Sequence, residues 1–126
     1  MADLPEGLLG ALAAAVGADN LRTGADVNED HSHDEALTVG WRMPDAVVLP
    51  TTTRQVADVL RLAADYRVPV TPRGSGTGLS GACVPTDGGI VVAFEAMNRV
   101  LEIDTENHMA VVQPGVTLEQ LNAELA

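Results

Sequence analysis

Ten residues constrain this chain more than any others: Pro72-Arg73-Gly74-Ser75-Gly76-Thr77-Gly78-Leu79-Ser80-Gly81. Four of the last eight are glycine. That density frees the backbone to take positive φ and to approach a ligand closely. Successive amides in such a turn can converge on an anion as a nest. Ser75, Thr77 and Ser80 add hydroxyl donors, and Arg73 adds a nearby cation. The chain as a whole carries a formal charge of -11, so an anion site must be local, built from fixed dipoles rather than from net charge.

Several phosphate-binding loops share this look. Gly76-Thr77-Gly78-Leu79-Ser80-Gly81 matches G-x-G-x-x-G, but a dinucleotide fold of the Rossmann kind needs a helix to begin there. Pro85 and Asp87-Gly88-Gly89 follow too soon for one. A Walker A loop and a kinase glycine loop both need lysine, and all seven cations here are arginine. A glycine-rich turn without a ligand is the bland alternative.

The flanks predict regular structure. Residues 3–16 read as a helix capped by Asp3, with Leu8, Leu9, Leu12, Ala13 and Val16 on one face. Residues 20–42 show no period, and the polar run from Asn28 to Glu35 reads as an exposed loop or short helix. Ala46-Val47-Val48-Leu49 reads as a buried strand ended by Pro50. Thr52 and Gln55 form a capping box for a helix running to about Arg67, and Val68 to Pro72 reads as a second strand. This strand–helix–strand unit is expected to be a right-handed parallel crossover. Ile90 to Ala93 is a third strand. Arg99 to Ile103 and Met109 to Gln113 suggest a hairpin with a five-residue loop. Thr117 and Gln120 open a last helix, which the chain ends inside, as expected of a piece of a longer protein. The expected fold class is α+β: a small, partly parallel sheet with a strand–helix–strand unit, a hairpin and an N-terminal helix. The division expected is a helix and polar lead-in over 1–42, then the first part of a ligand-binding domain over 43–126.

Function classes narrow further. Three aromatics, strong acidity and no basic cluster argue against nucleic acid. No apolar run reaches the ~20 residues of a membrane span, and the N-terminus lacks the positive region of a signal peptide. With Cys83 the single cysteine, the reading is a cytoplasmic chain. Cys83 reads as a small buried hydrophobe, and Trp41 as packed on the sheet edge or beside a cofactor. His108 reads as an exposed turn residue. His31 and His33, beside Asp30 and Asp34, read as an exposed polar loop in preference to a metal site, and no metal is expected.

Three segments, in order, resemble the FAD-binding domain of the vanillyl-alcohol oxidase and p-cresol methylhydroxylase flavoproteins, on the branch with the glycolate oxidase FAD subunit and the D-lactate and D-2-hydroxyglutarate dehydrogenases. They are Pro44 to Pro50 with Thr53 to Val56, then Val68 to Gly81, then Val111 to Val116. The resemblance spans roughly residues 40–126. It implies that Pro72, Arg73, Gly74, Ser75, Gly76, Thr77, Gly78, Leu79, Ser80 and Gly81 form the FAD pyrophosphate loop, with Pro50 and Gly115 as backbone-shaping neighbours. Some members attach FAD through a histidine in this loop. Thr77 stands at that position, so the resemblance implies non-covalent FAD. It also implies an FAD-dependent dehydrogenase or oxidase of a 2-hydroxy acid such as glycolate or D-lactate. The hydride would pass through flavin to a quinone, another protein or oxygen. The catalytic residues are expected outside this chain. The alternative is a flavin- or nucleotide-binding module without chemistry of its own, part of a larger assembly.

Overall fold

The computed structural model describes residues 4–126. Asp3, the expected cap of the first helix, lies outside them. Helix α1 runs Glu6–Val16, and Leu8, Leu12 and Val16 are buried one turn apart along it. Helix α2, Thr53–Tyr66, begins as its sequence predicts: the Thr52 hydroxyl accepts from the Gln55 amide at 3.2 Å. The Gln55 side chain reaches back one residue further than in the usual reciprocal pair, accepting from the Thr51 amide at 2.8 Å. Arg67, in the left-handed region at φ 54, ends the helix and returns its amide to Ala63 and Ala64.

Four short strands make the main sheet: β1 Leu21–Thr23, β2 Ala46–Val48, β3 Val70–Arg73 and β4 Ile90–Ala93. Their order is β1-β2-β4-β3, with β1 antiparallel to β2 and the other pairs parallel. β2 and β3, the strands of the expected crossover, are therefore parallel but separated by β4. Every residue of β2 and β4 is buried, as central strands covered on both faces require. β3 is an edge strand, which tolerates Pro72 because the outer edge needs no amide there. Val48, Ile90 and Val92 pack against α1 and α2 on one face. Val47, Val91 and Ala93 pack on the other with Val27 and, partly buried, Met43 and Leu49. β1, with no period in its sequence, forms because its edge pairing to β2 supplies what its own pattern does not.

Of the two readings of the polar run, the short helix holds, with Asn28, Glu29, Asp30 and Glu35 exposed along the run. Asn28 caps a tight turn over Glu29–Ser32, and Ser32 and Asp34 are buried. Trp41 packs on neither sheet edge nor core: it is 61% exposed, stacked on His33 with ring centroids 3.8 Å apart. Cys83 is partly exposed rather than buried.

A separate two-stranded antiparallel sheet joins β5 Val100–Asp104 to β6 Met109–Val112. Its loop is four residues, one fewer than expected, because Asp104 pairs with Met109. Helix α3, Leu118–Leu125, starts with the Thr117 hydroxyl accepting from the Gln120 amide at 3.1 Å. The Gln120 side chain does not close the box; it donates to the Asn98 carbonyl at 2.7 Å and ties α3 to the segment after β4.

Candidate functional site

Three parallel strands end together. β2 leads to Pro50, β3 to the glycine loop and β4 to Phe94 and Glu95, all at the carboxyl edge of the sheet. In open sheets with parallel strands, ligands sit outside that edge. A cleft of about 470 Å³ opens there, lined by Arg73, Gly74, Ser75, Asn28, Asp30, His31, Glu95, Asn98, Gly115, Thr117 and Gln120.

The loop begins where β3 stops pairing and reaches Gly81 without entering a helix. Among the described residues, no amide from Gly74 to Gly81 donates to another protein group. Most of this run is exposed, so water can satisfy its amides and an acceptor from outside the chain can take water's place. Gly76 holds φ 72, and a Cβ on it would lie 2.5 Å from Cζ of Arg73. Only glycine fits on both counts. Gly115 meets the cleft from the other side. Its amide donates to the Met97 carbonyl at 2.8 Å, and a Cβ would fall 2.7 Å from that same oxygen.

Gly76 is buried against Arg73 and Gly81 is half-buried, and the other residues expected at the site divide into three groups. Arg73, Gly74, Ser75 and Gly115 share the cleft. Thr77, Gly78, Leu79 and Ser80 lie on the exposed far side of the loop, Leu79 at 80% exposure. Pro72 is exposed within β3, while Pro50, just after β2, is fully buried.

The wall opposite the loop was not legible in the sequence. His31 Nε2 stands 3.2 Å from Glu95 Oε1, across 64 residues of chain, and its Nδ1 is buried without a protein partner. The segment after it grips the loop. The His33 carbonyl accepts from Arg73 at 2.6 Å, and the Glu35 amide donates to the Gly78 carbonyl at 2.9 Å. Asp34 is 5% exposed, with Oδ1 accepting from the Ala36 amide and Oδ2 unpartnered. In the sequence the alternation of His and acid is the one signal of this wall, a pattern that an exposed loop or short helix gives equally. No group of three or more His, Cys, Asp or Glu among the described residues is arranged to hold a metal. No helix among them is long and apolar enough to cross a membrane.

An open, mostly parallel sheet whose carboxyl edge carries a helix-free glycine loop defines an anion-binding class of site, and comparison with known proteins names the ligand of the family. Residues 44–126 match the FAD binding domain family, and the chain belongs to it. It is 50% identical over 111 residues to an FAD-linked oxidoreductase of Mycobacterium tuberculosis, covering 88% of this chain and 24% of that one. It is 51% identical over 82 residues to the glycolate oxidase subunit GlcD of Bacillus subtilis, covering 64% and 17%. To a D-lactate dehydrogenase of Anaerostipes hadrus it is 40% identical over 98 residues, covering 78% and 21%. The fold superposes on p-cresol methylhydroxylase with a TM-score of 0.81 at 25% identity, over 97% of this chain and 25% of that one. The chain thus spans between 17% and 25% of the length of these relatives, and the family resemblance and the α+β fold expected from the sequence both hold.

Proposed function

We propose that this chain supplies the pyrophosphate-binding part of an FAD-dependent oxidoreductase that acts on a 2-hydroxy acid such as glycolate or D-lactate. The carrying observation is the glycine loop at the carboxyl ends of the parallel strands, whose amides from Gly74 to Gly81 meet no protein acceptor and of which Gly74 and Ser75 line the cleft beside the buried Arg73. An FAD diphosphate offers the acceptors those amides lack, and Ser75 and Gly115 face the same cleft. Glycine at 76 and 115 lets the backbone pack directly on the Arg73 guanidinium and on the Phe94 and Met97 carbonyls, which fixes the shape of the cleft walls. Bound FAD supplies hydride acceptance; this chain's residues anchor one end of it and leave the substrate to other parts of a longer protein.

The proposed cofactor-binding set is Pro72 through Gly81, with Pro50 and Gly115 shaping the backbone, and the proposed compartment is the cytoplasm. FAD is held without a covalent bond, since Thr77 stands where family members that attach FAD through this loop carry a histidine. The relatives named for glycolate oxidase and D-lactate dehydrogenase support the substrate class.

The test uses the longer protein. Flavin absorbance bleached by a D-2-hydroxy acid is the expected result. Bound flavin that no hydroxy acid bleaches transfers support to a binding module without chemistry. Acid precipitation is expected to release all the yellow colour, and colour retained on the pellet rules out non-covalent attachment.

A further inference from the structure

Arg73 reads in the sequence as a cation standing beside the loop. In the fold it stands under it. Its side chain is only 6% exposed, and its Nη1 donates to the His33 carbonyl at 2.6 Å. Gly76 folds over the guanidinium so closely that no side chain could intervene. The turn from Gly74 to Gly76 is therefore moulded on a planar, rigid group.

That group makes no ion pair among the described residues, although the carboxylates of Asp30 and Glu95 line the same cleft. The ion pairs among the described residues are His31 with Glu95, and Asp58 with Arg54 and Arg61. None involves Arg73. Asp34 is buried in the segment that grips the loop, and its Oδ2 lacks a partner, yet it makes no ion pair with the guanidinium. An arginine cannot shed its proton to escape burial. A buried charge without a partner is unfavourable, so an ion of opposite sign is favoured wherever the structure admits one. The open side is the cleft, which Arg73 lines together with Gly74 and Ser75.

We propose that Arg73 is a positioning residue: from beneath, it shapes the Gly74–Gly76 turn and couples it to the His33–Glu35 segment, and its charge is balanced by the anion that the loop amides collect. This rests on the reading of the loop as an anion site, and it assigns the arginine a role through the loop rather than as a mobile surface cation.

Arg73→Ala separates the two parts of the role. In the ligand-free chain, the amide resonances of Gly74 to Thr77 and of His33 to Glu35 are expected to move together, while those of α1 and α2 stay in place. Affinity for inorganic pyrophosphate is expected to fall by roughly tenfold or more, since both the moulded turn and the nearby charge are lost. Millimolar guanidinium is expected to restore both the resonances and the affinity, whereas urea, of the same shape but uncharged, is expected to restore neither. Rescue by urea equal to that by guanidinium overturns the charge role; loop resonances unmoved by the substitution overturn the shaping role. Should Arg73→Ala fail to fold, Arg73→Lys keeps the charge and loses the planar fork, and intermediate pyrophosphate affinity is expected. Unchanged affinity in Arg73→Lys overturns the proposal, as does a wild-type loop that ignores pyrophosphate. FAD is absent from these assays. A longer protein that binds pyrophosphate but never FAD refutes the function proposed above and not this inference.

Discussion

Single residues decide the shape of the loop. Gly76 combines φ 72 with a space already filled by the Arg73 guanidinium. Gly76→Ala must therefore either tilt the turn or expel the arginine. Residues with a Cβ in the left-handed region cost about 1 kcal/mol before any clash is counted. The expected outcome is a loss of FAD affinity of roughly tenfold or more, about 1.4 kcal/mol, in the longer protein by calorimetric titration. Global stability is expected to fall by only about 1–2 kcal/mol, because the loop lies outside the core. Gly74→Ala is the control. Its Cβ would meet nothing within 4 Å, so near wild-type folding is expected there.

At the scale of elements, the lead-in and the hairpin behave oppositely. Helix α1 precedes the segment that matches the family, yet Leu12 is 0% exposed and shares a cluster with Val48, Val59 and Ile90. Leu12→Ala is expected to cost about 3 kcal/mol in urea denaturation, as for other large-to-small changes in a core. A cost under about 0.5 kcal/mol would mean that α1 does not dock on the sheet in solution. The β5–β6 hairpin instead relies on its turn. Asp104 accepts from the side chain of Asn107 at 2.7 Å and from its amide at 3.0 Å, and these bonds hold its carboxyl below the ordinary 3.8. A depressed carboxylate stabilises the fold fully above its unfolded pKa, and that contribution fades as pH falls through the lower folded value. The Asn107 amide resonance is accordingly expected to hold steady above pH 3.8 and to move only in stronger acid. Asp104→Asn should abolish that movement.

The molecule as a whole is two surfaces of different finish. Around the main sheet, apolar side chains are covered on both faces. Over the hairpin and α3 they are not: Leu101, Met109, Leu118 and Leu125 are each more than half exposed, and an apolar concavity of about 630 Å³ lies between Ile103, Met109, Leu121 and Leu125. Open strand edges beside uncovered apolar surface favour association. The 126-residue chain is expected to self-associate with rising concentration, seen as a mass increase in light scattering. Met109→Glu with Leu118→Glu should reduce this while leaving the main sheet folded. The isolated chain is also expected to bind FAD weakly and to turn over no substrate, since it spans 24% of its Mycobacterium tuberculosis relative. Tight FAD binding by the 126 residues alone would contradict that.

Local pattern was enough to read the glycine loop, the strands at 46, 70 and 90, the Thr52 and Thr117 caps and the hairpin, because periodicity, capping and turn chemistry act within a few residues. It was not enough for β1, whose three residues become a strand only by pairing with β2, or for β4 inserting between β2 and β3. Nor could it show that His31 would meet Glu95, that Asp34 would be buried, or that Arg73 would end beneath its loop instead of beside it. Those outcomes depend on contacts between residues far apart in the chain. Their partners are chosen when the layers pack, by which groups lose water together and which remain paired.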